Sequence, residues 1–72
     1  MRFDFEKFRK DVINARLNNG ETVMGLRECA EKIGISAPTL NRIEAGKTPD
    51  IFTLCSILEW MGKDANEYFI KQ

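Results

Sequence analysis

The chain of 72 residues has no histidine, two cysteines, two prolines and one tryptophan. Without histidine there is no imidazole to activate a serine or cysteine nucleophile, and none to bind zinc. Ser36 and Ser56 are the only serines and stand in no nucleophile-and-base pattern, so no catalytic residue and no enzyme is expected. Cys29 and Cys55 match no zinc-ligand spacing and fall inside apolar helical patterns. Both read as small buried hydrophobes in a reducing compartment, and neither a metal nor a cofactor is expected. No apolar run approaches the roughly 18 residues of a membrane span, and Met1 to Lys10 lacks a signal-peptide profile. A cytoplasmic protein without a membrane partner is the expectation. An excess of one charge is missing too: eleven Lys and Arg balance eleven Asp and Glu. Attraction to a polyanion would therefore have to come from how the charges are distributed.

What remains is helical. Gly and Pro punctuate the chain at short intervals, and between them apolar residues recur at helical spacing. Only the first few residues leave room for a strand. A first helix is predicted over about 4–19, with Asp4 as N-cap, a Phe3–Phe8 staple, and a stripe of Phe5, Phe8, Val12 and Arg16. It should stop near Asn18-Asn19-Gly20. A second, over 26–33, places Leu26, Cys29, Ala30 and Ile33 on one face and ends at Gly34. A third, over 37–45, is capped by Ser36 or Ala37, tolerates Pro38 in its first turn, and ends at Gly46. A fourth, over 50–61, starts at Asp50 or Thr48 and buries Leu54, Ile57, Leu58 and Met61. The Asp64–Glu67 capping box predicts a short fifth over 65–70, carrying Tyr68, Phe69 and Ile70. The fold class expected is all-α, a compact five-helix single domain covering residues 1–72, small enough to bury only about 60% of its unfolded surface.

The informative stretch runs from about Gly25 to Gly46. Two short helices joined around Gly34 must cross steeply, and Ala30 lets them approach closely. That is a helix-turn-helix, whose second helix projects into a DNA major groove. On the third helix Leu40 and Ile43 define the buried direction, so Pro38, Asn41, Arg42 and Ala45 point away, with Ala37 beside them and Thr39 at the flank. Arg42 can bond guanine bidentately, Asn41 can bond adenine or a phosphate, and Ala37, Pro38 and the Thr39 methyl can pack on thymine methyls. Phosphates would be held at the N-terminus of the second helix by Gly25 and Leu26 backbone N–H groups, by Arg27, and beyond the third helix by Lys47 and Thr48.

These residues resemble the Cro/cI-type (XRE-like) helix-turn-helix domain of phage repressors and bacterial regulators. The resemblance runs from about Leu26 to Phe69, with Ala30, Gly34, Ser36, Leu40, Ile43, Glu44, Gly46, Lys47, Pro49, Leu54 and Leu58 in register. It implies a lambda-repressor-like five-helix fold that binds palindromic double-stranded operators as a homodimer. It also implies base reading at Ala37, Pro38 and Arg42, and phosphate contacts at Thr39, Lys47 and the start of the second helix. Leu26 and Ala37 depart from it, standing where many members carry glutamine. The connection from Asn18 to Met24 is longer than the family's usual turn. The family's glutamate, here Glu44, pairs with an arginine of the first helix; Arg16 is the first candidate and Arg9 the second.

A single recognition helix covers too few base pairs for an operator, so a two-fold dimer is expected. Phe52, Trp60, Tyr68, Phe69 and Ile70 offer more apolar surface than so small a core absorbs, and Trp60, Tyr68, Phe69 and Ile70 are the candidate interface. Pairing through Met1 to Phe3 is the second route. These 72 residues leave no room for a separate ligand domain, so a Cro-like or antitoxin-like stand-alone regulator without a small-molecule ligand is the expectation. The competing reading is an antitoxin-like or adaptor module that keeps the fold but binds protein instead of DNA. Neutral charge and the missing glutamines favour it, and a flat salt dependence of DNA binding would distinguish it.

Overall fold

Side-chain caps decide where most of the helices start. The computed structural model describes residues 2–18 and 24–70. Asp4 Oδ1 accepts the Lys7 N–H at 3.0 Å and opens α1, Phe5–Leu17. Ser36 Oγ accepts the Thr39 N–H at 3.2 Å and opens α3, Ala37–Glu44, so of the two candidate caps it is Ser36 that serves. Asp50 Oδ1 accepts the Thr53 N–H at 2.8 Å and opens α4, Ile51–Met61. Between them α2, Leu26–Ile33, follows Gly25 with no side-chain cap. The Asn19-Gly20 stop expected for the first helix, and most of the connection to Met24, lie outside the described residues.

The end of the chain departs from expectation. Instead of a fifth α-helix there is one 3-10 turn, Ala65–Tyr68, followed by a strand, Phe69–Ile70. That strand pairs antiparallel with Arg2–Phe3, in the register Arg2↔Ile70 and Phe3↔Phe69. The Asp64 box does form, with Glu67 Oε2 accepting the Asp64 N–H at 3.0 Å. It launches a turn and no more, because the next three side chains are aromatic or β-branched and bury with a period of two. Tyr68 is buried, Phe69 exposed and Ile70 half-buried, a strand pattern. The Asp4 N–H donates to the Tyr68 carbonyl and fastens the two ends together. Among the described residues the fold is thus four α-helices with a 3-10 turn and a small terminal ladder, mostly helical, without the fifth α-helix expected.

α3 packs against both α2 and α1, and α4 covers α1 and α2. The core joins Phe8, Val12, Met24, Cys29, Ala30, Ile33, Leu40, Ile43, Ile57, Leu58 and Tyr68. Phe5, expected on the buried stripe, lies at the surface with Leu17. Cys55, expected inside, is exposed, while Cys29 is buried.

Candidate nucleic-acid interface

The turn between α2 and α3 is made by one glycine. Gly34 adopts φ +94°, and its N–H and that of Ile35 both donate to the Ala30 carbonyl, closing α2 while the chain reverses. A Cβ there would meet no neighbouring atom, so the demand for glycine is purely conformational. Ser36 then caps α3 within two residues. Its hydroxyl also shares a 2.7 Å hydrogen bond with Thr39 Oγ1.

α3 is held down by Leu40 and Ile43, both buried, and this turns the opposite face outward. Pro38, Asn41, Arg42 and Ala45 are exposed there. Neither Asn41 nor Arg42 makes a side-chain hydrogen bond or ion pair among the described residues. Ala37 is half-buried and packed on the core, not free at the surface as the helical wheel predicts. Thr39 is half-buried and its hydroxyl is engaged with Ser36.

At the end of α3, Gly46 takes φ +102° and the Lys47 N–H donates to the Arg42 carbonyl. This turn swings Lys47 and Thr48 back beside the helix. Arg42, Lys47, Thr48 and Thr39 line one shallow depression whose far wall is Pro49, Asp50 and Thr53 at the start of α4. Two candidate base-reading residues, Thr39 and Arg42, and two candidate phosphate-binding residues, Lys47 and Thr48, are thereby brought together.

At the other end, the first helical hydrogen bond of α2 is from Cys29 N–H to the Gly25 carbonyl. The N–H groups of Leu26, Arg27 and Glu28 precede it, and no side chain caps them. Such unfilled donors, with the positive end of the helix dipole, suit an anion. Arg27 is exposed beside them. The Leu26 side chain packs against the core, so only its backbone faces outward.

The charge distribution is uneven although the sum is zero. Glu6 pairs with Arg9 and Lys10, and Glu67 with Lys63. Arg27, Arg42 and Lys47 have no ion-pair partner among the described residues. Glu44, the one acid between residues 37 and 49, is gripped by Arg16: Nε to Oε2 and Nη2 to Oε1, both at 2.8 Å. Both side chains are mostly buried, at 18% and 12% exposure, and the hydrogen bonds to Glu44 raise the Arg16 guanidinium above its ordinary value. The outward charges between residues 37 and 49, Arg42 and Lys47, are therefore both positive, with Asp50 on the far wall of their depression.

Sequence reasoning missed two contacts of this framework. Arg16 Nη1 also donates to the Met24 carbonyl at 3.2 Å, tying α1 to the entry of α2. Arg9, weighed only as a rival to Arg16, donates from Nη1 to the Glu44 backbone carbonyl at 3.3 Å. A carbonyl acceptor leaves no trace in sequence; the seven-residue spacing of the two arginines, two helical turns, was the available signal.

A further correction concerns the candidate dimer face. Tyr68 is 1% exposed, its ring buried against Phe3 and Phe8 and its hydroxyl donating to Asp11 Oδ2 at 2.8 Å. It cannot meet a partner. Trp60 and Ile70 are half-buried, and Phe69 is exposed. The most exposed apolar side chains lie instead at the start of α4, Phe52 at 83% and Ile51 at 62%.

A protein-family model described as helix-turn-helix matches residues 25–67, from the open start of α2 through the 3-10 turn. No curated protein and no solved structure matches the chain.

Proposed function

The chain belongs to the Cro/cI-type (XRE-like) helix-turn-helix family of DNA-binding transcription regulators, and from that premise we propose that it is a dimeric repressor reading a palindromic operator with α3. The family is a regulatory family and not an enzyme family. The observation that carries the reading is the outward face of α3 with its following turn, where Arg42 and Lys47 are exposed without ion-pair partners among the described residues. Arg42, with Asn41 beside it, supplies hydrogen bonds to base edges; Pro38, the Thr39 methyl and the accessible part of Ala37 supply apolar contacts to thymine. Lys47 and Thr48 hold one phosphate strand. The N–H groups at Gly25–Leu26, with Arg27, hold the other across the groove.

Dimerisation rests on the geometry of the target, since one helix in one major groove spans a half-site. The exposed Phe52, Ile51 and Phe69 supply apolar surface for it. Among the described residues no helix is long and apolar enough to cross a membrane; the proposed DNA target is what supports a cytoplasmic protein.

Selection from random duplexes tests the reading. Wild type should enrich a two-fold symmetric site with half-sites about one helical turn apart. Arg42→Ala should lose preference at one base pair per half-site, by about 1–3 kcal/mol. Enrichment of no sequence, or an unchanged preference in Arg42→Ala, contradicts it.

A further inference from the structure

Arg9 lies outside the α3 surface, yet its guanidinium is fixed in three directions. Nε and Nη2 form a fork on the two carboxylate oxygens of Glu6, at 3.2 and 2.5 Å. Nη1 reaches across to the Glu44 carbonyl at 3.3 Å. That carbonyl belongs to the last turn of α3, where helical partners run out: the neighbouring bonds go from Ala45 to Asn41, Gly46 to Ile43 and Lys47 to Arg42. A cation at a helix C-terminus also meets the negative end of the dipole. Glu44 is thereby held twice from α1, its carboxylate by Arg16 and its carbonyl by Arg9. Glu6 and Arg9 line a narrow cleft whose opposite wall is Ile43, Gly46, Lys47 and Pro49, the turn leaving α3.

We propose that Arg9, oriented by Glu6, is a positioning residue that fixes the end of the recognition helix and with it the turn carrying Lys47. The assignment of Lys47 to a phosphate rests on the function proposed above; the placement of the turn does not. Arg9 acts through the turn and touches no DNA. Its salt bridge to Glu6 serves to aim the free edge of the guanidinium, since an Arg fork leaves donors on its remaining side.

Two readouts test this. The first is a double-mutant cycle on duplex affinity at fixed salt with Arg9→Ala, Lys47→Ala and the double variant. Arg9→Ala should weaken binding about three- to tenfold, and adding it to Lys47→Ala should cost less than about twofold more. Additive losses, or a salt slope that falls further in the double variant than in Lys47→Ala, overturn the proposal. The second readout needs no DNA: amide hydrogen exchange in Arg9→Ala should quicken at Gly46 and Lys47 and stay unchanged at Leu40. Glu6→Gln, which leaves Arg9 in place but loosens the fork, should show the same pattern more weakly. Unchanged exchange at Gly46 and Lys47 in both variants overturns the proposal. Quickened exchange together with a Lys47→Ala variant that binds DNA normally supports the placement of the turn and overturns the phosphate assignment.

Discussion

Glu44 shows how much can hang on one side chain. It is the acid that would repel DNA from α3, and instead it is turned inward, shielded and neutralised by Arg16. Breaking a pair with this little exposure leaves an unmatched charge, so Arg16→Met should cost about 3 kcal/mol, while Arg16→Met with Glu44→Leu should recover much of it in urea denaturation. Gly34 makes a different demand. With φ +94° and open space around it, Gly34→Ala should cost about 1–2 kcal/mol through backbone strain alone. Tyr68, the single tyrosine, reports the core directly. Burial first, and then the Asp11 hydrogen bond, push its phenol above the ordinary value of 10. The folded chain thus favours the neutral phenol, a contribution complete below pH 10 and lost as pH rises toward the higher folded value. An alkaline titration followed by phenolate absorbance should show ionisation only as the helices melt; ionisation near pH 10 with circular dichroism intact would contradict the burial.

Among the elements, α2 and α3 were legible because their spacing, their glycine and their caps all agree. Leu26, Cys29, Ala30 and Ile33 mark one face, and Ser36 sits where a cap is needed. Ser36→Ala should therefore destabilise the domain by about 1 kcal/mol. α4 begins at a charged cap. Hydrogen bonds from Thr53, its backbone N–H foremost, hold the Asp50 carboxyl below the usual carboxylate range. A lowered carboxylate pKa stabilises fully above the ordinary range and is lost as pH falls through the lowered value. The acid limb of a thermal-melting curve against pH should accordingly flatten in Asp50→Asn, and an unchanged limb would count against the cap. The last element was not legible. A capping box at Asp64 predicts a helix, but the box fixes only a first turn, and Tyr68-Phe69-Ile70 gain more from pairing with Arg2–Phe3. Those partners are 66 residues apart at Phe3–Phe69 and 68 at Arg2–Ile70, beyond the reach of any local pattern. The buried state of Tyr68 follows from the same pairing, and so escaped the sequence too.

For the whole molecule, net neutrality hides an uneven distribution. Glu6 pairs with Arg9 and Lys10, and Glu67 with Lys63, while α3 and its turn show the solvent Arg42 and Lys47. The candidate site was legible wherever residue type and helical phase sufficed, as at Arg42 and Asn41. It was less so where a neighbour intervenes: the core half-covers Ala37, and Ser36 occupies the Thr39 hydroxyl. Two-fold association should raise the mass seen by light scattering in the presence of a symmetric duplex, and Phe52→Glu should reduce it if the α4 start contributes. The central claim is that α3 and its flanking groups bind duplex DNA. It is tested most directly by following binding anisotropy across a salt titration for wild type, Arg42→Ala and Lys47→Ala. The account predicts a steep linear fall of log affinity with log salt, a slope shallower by about one in Lys47→Ala, and lost sequence preference with little change of slope in Arg42→Ala. A flat response shared by all three proteins would contradict it.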